Sequence, residues 1–161
     1  MTVITLTAPK GRLGLSQRRE LAETLTDAVL VPEVGQHTVL ARVGFQVRFT
    51  ELEADCMAIG GRLLSDTDAP SDVMSIDVAV MDAAWPAAAR AQVIRNLLAA
   101  MAKACGLTQP SPAWWVMFRV IEEGSWGSRG DVLSILDLLD SGVFTGDRIK
   151  EIRIEMEGRP R

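Results

Sequence analysis

The chain has 161 residues, of which 48% are hydrophobic and 24% charged, and its formal net charge is −4 at pH 7. This composition predicts one globular domain, and the absence of a basic cluster argues against a nucleic-acid-binding surface. The longest apolar run is far shorter than the roughly 20 residues of a membrane span, and the N-terminus lacks a signal-peptide pattern. We therefore expect a cytoplasmic protein with neither membrane nor nucleic-acid partners.

Cysteine and histidine are scarce. Cys56, Cys105 and His37 are too few for a disulfide framework or a histidine-rich metal site. We expect ordinary thiols, a solvated loop histidine, and no metal or other cofactor.

The N-terminal half is predicted to form a strand, a helix and a strand. Its elements in chain order are a strand at 2–8, a helix from Ser16 to Val31-Pro32, a loop at 33–41 and a strand at 43–50. The first strand is alternating and rich in β-branched residues. Ser16 is a candidate helix cap, and Pro32 is expected to stop the helix.

The second half repeats this order. Its predicted elements are a strand at 75–81, a helix at 87–105 and a strand at 115–121. Ile4 and Leu6 match Ile76 and Val78 at an offset of about 72 residues. The later strands match at an offset shortened by one, so that residues 45–51 fall on 116–122.

This alignment places Arg48 opposite Arg119 and predicts a duplicated unit. The predicted organisation is a single domain, residues 1–161, made of βαβ repeats at 2–65 and 74–130, a linker at 66–73 and an extension at 131–161.

The extension is predicted to contain a helix and a strand. Residues 131–140 have apolar residues at helical spacing and are followed by Gly142. Residues 150–156 alternate charged and apolar side chains, which indicates a strand with one wet face. Such an edge strand is a candidate for pairing with a neighbouring subunit.

The strand faces indicate where chemistry can occur. Alternation places Phe45, Val47 and Phe49 on the helix-facing side of their strand and Gln46 and Arg48 on the other. In the second half the face away from the helices carries Trp115, Met117, Arg119 and Ile121. This face is too apolar to remain in water, so we expect other subunits to cover it.

Several stretches resemble the tautomerase superfamily, and the first half is similar to 4-oxalocrotonate tautomerase. They are Lys10-Gly-Arg12, the Ser-Gln-Arg-Arg-Glu-Leu-Ala helix start at 16–22, Thr50-Glu51, Ile59-Gly-Gly61, the Ile-Glu-Glu-Gly-Ser-Trp-Gly segment at 121–127, and Gly130. The resemblance implies an α/β (α+β) fold in which a tandem βαβ repeat forms a four-stranded core sheet with two helices on one face. It also implies a homotrimer.

The chain departs from the family at the catalytic position. Family enzymes expose an N-terminal proline whose amine moves a proton between carbon and oxygen, whereas Thr2 and Met74 stand at this position in the two halves. If Met1 is retained, the terminal amine is that of Met1 and lies one residue out of register with the family position. If Met1 is removed, an N-terminal Thr2 is a candidate nucleophile activated by its own amine. A simple strand-forming role explains Thr2 equally well.

Other family positions are only partly kept. The resemblance implies that Arg12 binds a substrate carboxylate, although a solvated loop arginine is the alternative. Gln46 replaces an arginine that polarises the substrate, and Met57 replaces an aromatic pocket wall. Glutamine still donates a hydrogen bond but supplies no positive charge.

Further candidates lie on the open sheet face and after the last predicted strand. Arg48 and Arg119 either clamp a carboxylate or pair with Glu51, Glu122 or Glu123. Trp114, Trp115 and Trp126 offer either pocket walls or interface anchors.

Three functions remain open from the sequence. The first is a tautomerase-like isomerase, or a hydratase, acting on small unsaturated keto or carboxylic acids without the usual proline. The second is an inactive trimer that binds a ligand or serves as a scaffold. The third is a biosynthetic enzyme with different chemistry in the same pocket.

Overall fold

The structure is a computed structural model that describes residues 1–68 and 72–158. In chain order the elements are β1 (Thr2–Pro9), α1 (Leu15–Val34), α2 (Val39–Arg42), β2 (Phe45–Leu52), β3 (Ala58–Ile59), β4 (Arg62–Leu63), β5 (Met74–Met81), α3 (Ala87–Ala104), β6 (Trp114–Ile121), β7 (Gly127–Ser128), β8 (Asp131–Val132), α4 (Ile135–Leu139) and α5 (Gly146–Glu157). Among the helices of the described ranges, none is long and apolar enough to span a bilayer.

Four strands form the central sheet in the order β2-β1-β5-β6. The outer pairs are parallel, and the central pair β1 and β5 is antiparallel. In that central pair Thr5 lies opposite Asp77, which is its own counterpart at the offset of about 72 residues. The two βαβ units are therefore related by a local twofold axis through this pair, and the predicted fold class is confirmed.

The core lies between the sheet and the two long helices. Ile4 and Leu6 from β1 and Ile76 and Val78 from β5 are at most 1% exposed. They pack with apolar residues of α1 and α3, namely Leu21, Leu25, Leu97 and Met101. The alternation of buried and half-buried residues along β1 shows the period of two that a sheet covered on one face requires.

The predicted match of Arg48 with Arg119 is wrong by two residues. Arg48 lies opposite Thr5, whereas Arg119 lies opposite Ala79, two positions beyond the counterpart of Thr5. The structural counterpart of Arg48 is Met117. A shift of two residues keeps every side chain on the same face, so the predicted strand faces survive the error.

The sheet face opposite the helices is open in the single chain. Trp115 is 61% exposed and Met117 is 48% exposed, and Arg119 on the same face is also exposed. Phe45, Val47 and Phe49 of β2 pack toward the core, as predicted. The open face therefore carries an apolar strip along β6.

The first helix extends past the predicted stop at Pro32. It begins after Gly14 rather than at Ser16, contains Pro32, and ends at Val34, where Gly35 caps it with a left-handed φ of 84°. Part of the predicted loop at 33–41 is therefore helical, including the start of α2. Proline deletes one backbone bond, but tertiary contacts hold this last turn: Thr145 N–H donates to Val34 O at 2.9 Å.

The predicted strand at 150–156 is wrong, because this segment belongs to α5. Thr145 is the N-cap, and its hydroxyl accepts from the Arg148 N–H at 3.4 Å. Ile152 is fully buried on the core side, whereas Ile154 is 71% exposed. The apolar residues thus follow helical spacing. Because this segment is not a strand, the hypothesis that it pairs as an edge strand with a neighbouring subunit is also wrong.

The predicted helix at 131–140 is shorter in the structure. Asp131 and Val132 instead pair as β8 with β7, and α4 starts after Ser134, whose hydroxyl accepts from Leu136 N–H. Aspartate and valine favour the turn and the strand over the helix, and the Ser134 cap fixes the later start.

Candidate functional site

A buried carboxylate lies at the start of β1. Glu33, in the last turn of α1, is only 1% exposed. One of its oxygens accepts from the Met1 amine at 3.0 Å, and the other accepts from the Thr2 hydroxyl at 2.7 Å. Because a buried charge is costly unless it is paired, this carboxylate fixes both N-terminal residues. We call Met1, Thr2 and Glu33 the N-terminal cluster.

Arg148 of α5 lies at the same end of the sheet as the N-terminal cluster. Its side chain is 12% exposed, and its Nε donates to the backbone oxygen of Glu33 at 3.2 Å. One terminal nitrogen donates to the carbonyl oxygens of Ala83 and Ala84, and the other forms an ion pair with Glu151. The guanidinium therefore joins three segments: the end of α1, the turn after β5, and α5.

A groove of about 310 Å³ opens beside this turn. Ala84, Trp85 and Pro86 line one side, and Glu151, Ile154 and Glu155 of α5 line the other. Trp85 itself is held by its indole N–H, which donates to Met81 O at 2.9 Å. The groove is of the size that accepts a small molecule.

Arg12 lies far from Thr2 along the sheet. Thr2 begins β1 and Arg12 follows its other end, so one chain does not bring these two predicted site residues together. Arg12 instead binds Asp72, with Nε to Oδ1 at 2.6 Å and Nη2 to Oδ2 at 2.9 Å. The hydrogen bond to Arg12 holds the pKa of Asp72 below its usual value.

Gln46, Arg48 and Arg119 all lie on the open sheet face. Arg48 donates to Gln46 at 2.8 Å, and Arg119 forms an ion pair with Asp77 at 2.8 Å. These two arginines are on opposite edge strands, three strand spacings or about 14 Å apart, so they do not clamp one small carboxylate within a chain.

Two of the three glutamates predicted as partners of these arginines bind elsewhere. Glu51 accepts from the Gly11 N–H at 2.8 Å and pairs with Arg18 at 2.7 Å. These contacts, the Gly11 bond first, lower the pKa of Glu51. Glu123 accepts from the Ile135 N–H at 3.1 Å, at the start of α4.

Met57 lies between β2 and β3, and Trp126 lies between β6 and β7. Met57 is half-buried before the β3–β4 hairpin, and its backbone oxygen accepts from Leu64 N–H. Trp126 is half-buried against the core, and its backbone oxygen accepts from Leu133 N–H. The structure gives Trp126 a packing role and leaves the predicted ligand roles of both residues untested.

Sequence reasoning missed three residues that organise these sites: Glu33, Asp72 and Arg148. The sequence predicts Glu33 in a loop, because Pro32 is expected to end the helix, and Asp72 in the linker between the repeats. The available signal for Glu33 was its position between apolar residues 31 and 34. In the described ranges, no three histidine, cysteine or acidic side chains come together to hold a metal ion.

Comparisons with known proteins address the fold. No family model matches the sequence, and the search of curated proteins gives no match. Among solved structures, native fused 4-OT is 25% identical with a TM-score of 0.65, covering 81% of this chain and 94% of its own. The structure of N1, a member of the cis-3-chloroacrylic acid dehalogenase family, is 18% identical with a TM-score of 0.68, covering 94% of this chain and 99% of its own.

A third structure, the F6 fused 4-OT asymmetric trimer, is 20% identical with a TM-score of 0.65, covering 81% of this chain and 94% of its own. All three structures share the fold of this chain. The chain belongs to the tautomerase superfamily, among the proteins that resemble fused 4-oxalocrotonate tautomerase.

Proposed function

We propose that the protein is a homotrimeric, tautomerase-like isomerase of small unsaturated keto or carboxylic acids, with the N-terminal cluster as its reaction centre. The observation that carries the proposal is the placement of the Met1 amine against the buried Glu33 carboxylate, at 3.0 Å. This amine lies one residue before Thr2, which stands at the position of the N-terminal proline in family enzymes. The Thr2 hydroxyl occupies the second oxygen of Glu33 and so fixes the carboxylate.

The chemistry requires one group that both gives and takes a proton. In the direction from enol to ketone, the Met1 ammonium gives a proton to the substrate carbon. The neutral amine then takes the proton of the enol hydroxyl, so the site returns to its starting charge. Glu33 remains the counterion throughout and acts as a positioning residue. The groove beside Ala84 offers a place for the rest of the substrate.

Ultraviolet absorbance with phenylenolpyruvate or 2-hydroxymuconate tests this activity. We expect turnover by the wild-type chain and a loss of kcat in Glu33→Gln, with KM nearly unchanged because Glu33 does not touch the substrate. Glu23→Gln, at an exposed position of the same helix α1, is the matched control for loss of a carboxylate. Absence of turnover above buffer, or an unchanged kcat in Glu33→Gln, contradicts the proposal.

An intact-mass measurement belongs with this assay. A mass that retains Met1 supports its amine as the reacting group. A mass without Met1 moves the terminal amine to Thr2 and transfers the proposed role to that residue. Turnover that persists after acetylation of the terminal amine contradicts both assignments.

The trimer is proposed from the open sheet face. Trp115 at 61% exposure and Met117 at 48% form an apolar strip that one chain leaves in water. We expect Trp115→Glu to dissociate the trimer, as measured by size-exclusion chromatography with light scattering. Val39→Glu, at a position 80% exposed on α2, is the control. A wild-type monomer at micromolar concentration contradicts the assembly.

A second candidate is a trimer that binds carboxylates without turnover. It is favoured by the neutral Gln46 on the open face, which supplies no positive charge to polarise a reacting substrate. Melting temperatures against a panel of dicarboxylates distinguish this candidate from a plain scaffold, since a bound ligand raises the melting temperature and a scaffold gives no response.

A further inference from the structure

A second groove, of about 540 Å³, lies on the outer surface of α3, and we call it the α3 groove. Leu98 and Ala99 of the helix form one wall, and Leu107 and Pro110 of the following loop form the other. Leu107 is 43% exposed, so the groove leaves apolar surface in contact with water. A concave surface of this size with apolar walls is typical of small-molecule sites.

The turn that ends α3 fixes the shape of the α3 groove. Gly106, with a left-handed φ of 69°, reverses the direction of the chain. Its N–H donates to Lys103 O at 3.0 Å, and the Leu107 N–H donates to Ala102 O at 2.9 Å. These two bonds form a Schellman turn, which directs the residue after the glycine back against the end of the helix. Backbone hydrogen bonds therefore hold both walls in place before any ligand binds.

The rim of the α3 groove is cationic. Arg95 and Lys103 line it, and none of the described residues that line it is acidic. Arg95 donates to the neutral side chain of Gln92 at 2.7 Å. Lys103 reaches Glu20 only at 4.0 Å, which is the limit of an ion pair. The α3 sequence has three cations and no acidic residue, although the net charge of the chain is −4. An anion at the rim therefore meets charges that the protein only partly neutralises.

The α3 groove is remote from the N-terminal cluster and from the open sheet face. Gln17, in the first turn of α1, donates to Ala104 O at 3.0 Å, so the end of α3 lies beside the start of α1. Glu33 lies in the last turn of α1, about 24 Å further along that helix. The two long helices cover one face of the sheet, whereas the apolar strip of β6 lies on the other. A trimer that forms through the open sheet face does not use this surface.

We propose that the α3 groove binds a small amphipathic anion, a carboxylate with an unbranched hydrocarbon tail of medium length. The tail lies between Leu98 and Leu107, and the carboxylate pairs with Arg95 or Lys103 at the rim. The apolar walls favour this ligand over an inorganic anion or a short dicarboxylate, because those have no tail to bury. The cations favour it over an amine of the same shape. The site binds without turnover and is separate from the reaction centre.

Calorimetric titration with octanoate at fixed ionic strength tests the proposal. Octanol has the same tail without the charge, octylammonium has the opposite charge, and hexanoate has a shorter tail. The key variants are Leu107→Ala, which removes part of one wall, and Arg95→Gln combined with Lys103→Gln, which neutralises the rim. Leu136→Ala, at a leucine of α4 that is 46% exposed, is the matched control for the wall. Arg90→Gln, on the same helix as the groove but outside its lining, is the control for the rim.

We expect octanoate to bind about fourfold more tightly than hexanoate, because two further methylenes are each about half buried in a groove that is open on one side. Leu107→Ala should weaken octanoate binding about threefold. The combined Arg95 and Lys103 variant should weaken it about fivefold and leave octanol binding unchanged. Octylammonium should bind more weakly than octanol, and both control variants should match the wild type.

Ala99→Phe provides a further test, because it fills the groove from an exposed position of the helix and should abolish binding. A melting curve of each variant confirms that it is folded at the titration temperature. Equal affinities for octanoate and octanol would overturn the proposal, as would equal affinities of Leu107→Ala and Leu136→Ala. Absence of saturable binding at millimolar octanoate would also overturn it.

The titration requires no turnover and is expected to be unchanged in Glu33→Gln. Its failure therefore leaves the proposed activity at the N-terminal cluster untouched, and the absence of activity leaves the α3 groove untouched.

Discussion

Replacement of Arg148 by alanine tests how the C-terminal helix secures the N-terminal cluster. The guanidinium donates to three backbone oxygens, those of Glu33, Ala83 and Ala84, from a position that is 12% exposed. Hydrogen bonds that involve a charged group contribute about 1.5 to 3 kcal/mol each. Water entering the vacated space will bond to some of these oxygens, so we expect a total loss of about 3 kcal/mol.

Urea unfolding at one fixed protein concentration measures this loss, since a trimer makes stability depend on concentration. With a slope of about 2 kcal/mol per molar urea, the midpoint should fall by about 1.5 M. Arg148→Lys should recover only part of the loss, because one ammonium cannot reach three oxygens that a planar fork spans.

The matched control is Arg153→Ala on the same helix. Arg153 contacts Asp140 at 3.9 Å, and Asp140 is 92% exposed, so this change should cost less than about 0.5 kcal/mol. A loss below about 1 kcal/mol in Arg148→Ala, or equal losses in the two variants, would refute the reasoning that α5 is tied to the N-terminal cluster through this side chain.

Two further predictions concern the turn after α1 and the Arg12 ion pair. In Gly35→Ala the new Cβ would lie 2.3 Å from the hydroxyl oxygen of the α5 N-cap residue, at a φ of 84°, so we expect a clear drop in melting temperature. Gly142→Ala, with φ 79° and nothing within 4 Å, should cost less, and a larger drop there would contradict this account. The pKa of Asp72 is lowered in the folded state, chiefly by the hydrogen bond from Arg12, so its stabilisation is present above its unfolded pKa and is lost as the pH falls below about 4. Asp72→Asn should flatten that part of the pH–stability curve, and an unchanged slope would show that the pair contributes nothing.

The sequence predicted the central sheet well because its signals are local and periodic. The alternation of β1 and the apolar match of Ile4 and Leu6 with Ile76 and Val78 depend only on which side chains face the helices, and the structure buries all four. The predicted alignment of β2 with β6 was wrong by two residues. A two-residue slip leaves the apolar pattern intact, so only the cross-strand pairing of Arg48 with Thr5 reveals it.

The errors at the chain's C-terminal end have a different cause. Residues 150–156 alternate in polarity, yet the same letters place Ile149, Ile152 and Met156 on one helical face. Only the Thr145 cap and burial of Ile152 against the rest of the molecule decide between the two patterns. A short stretch of sequence does not reveal such long-range contacts.

The candidate sites were the least predictable part. Glu33 meets Met1 and Thr2 across more than thirty positions of sequence, and Asp72 meets Arg12 across sixty. No spacing rule connects such residues, since each pair forms only once the helices have packed on the sheet. A resemblance supplies Arg12 as a carboxylate-binding residue but cannot supply the aspartate that it already holds.

The Thr5–Asp77 pairing at the centre of the sheet has an evolutionary consequence. When identical short chains assemble around a twofold axis, every substitution is made twice, and an improvement at one end is forced on the other. Covalent fusion of the halves releases that constraint, because each end is then encoded by its own stretch of gene. The glutamate at one end and the arginine at the other show how far two ends can drift apart once they no longer mutate together.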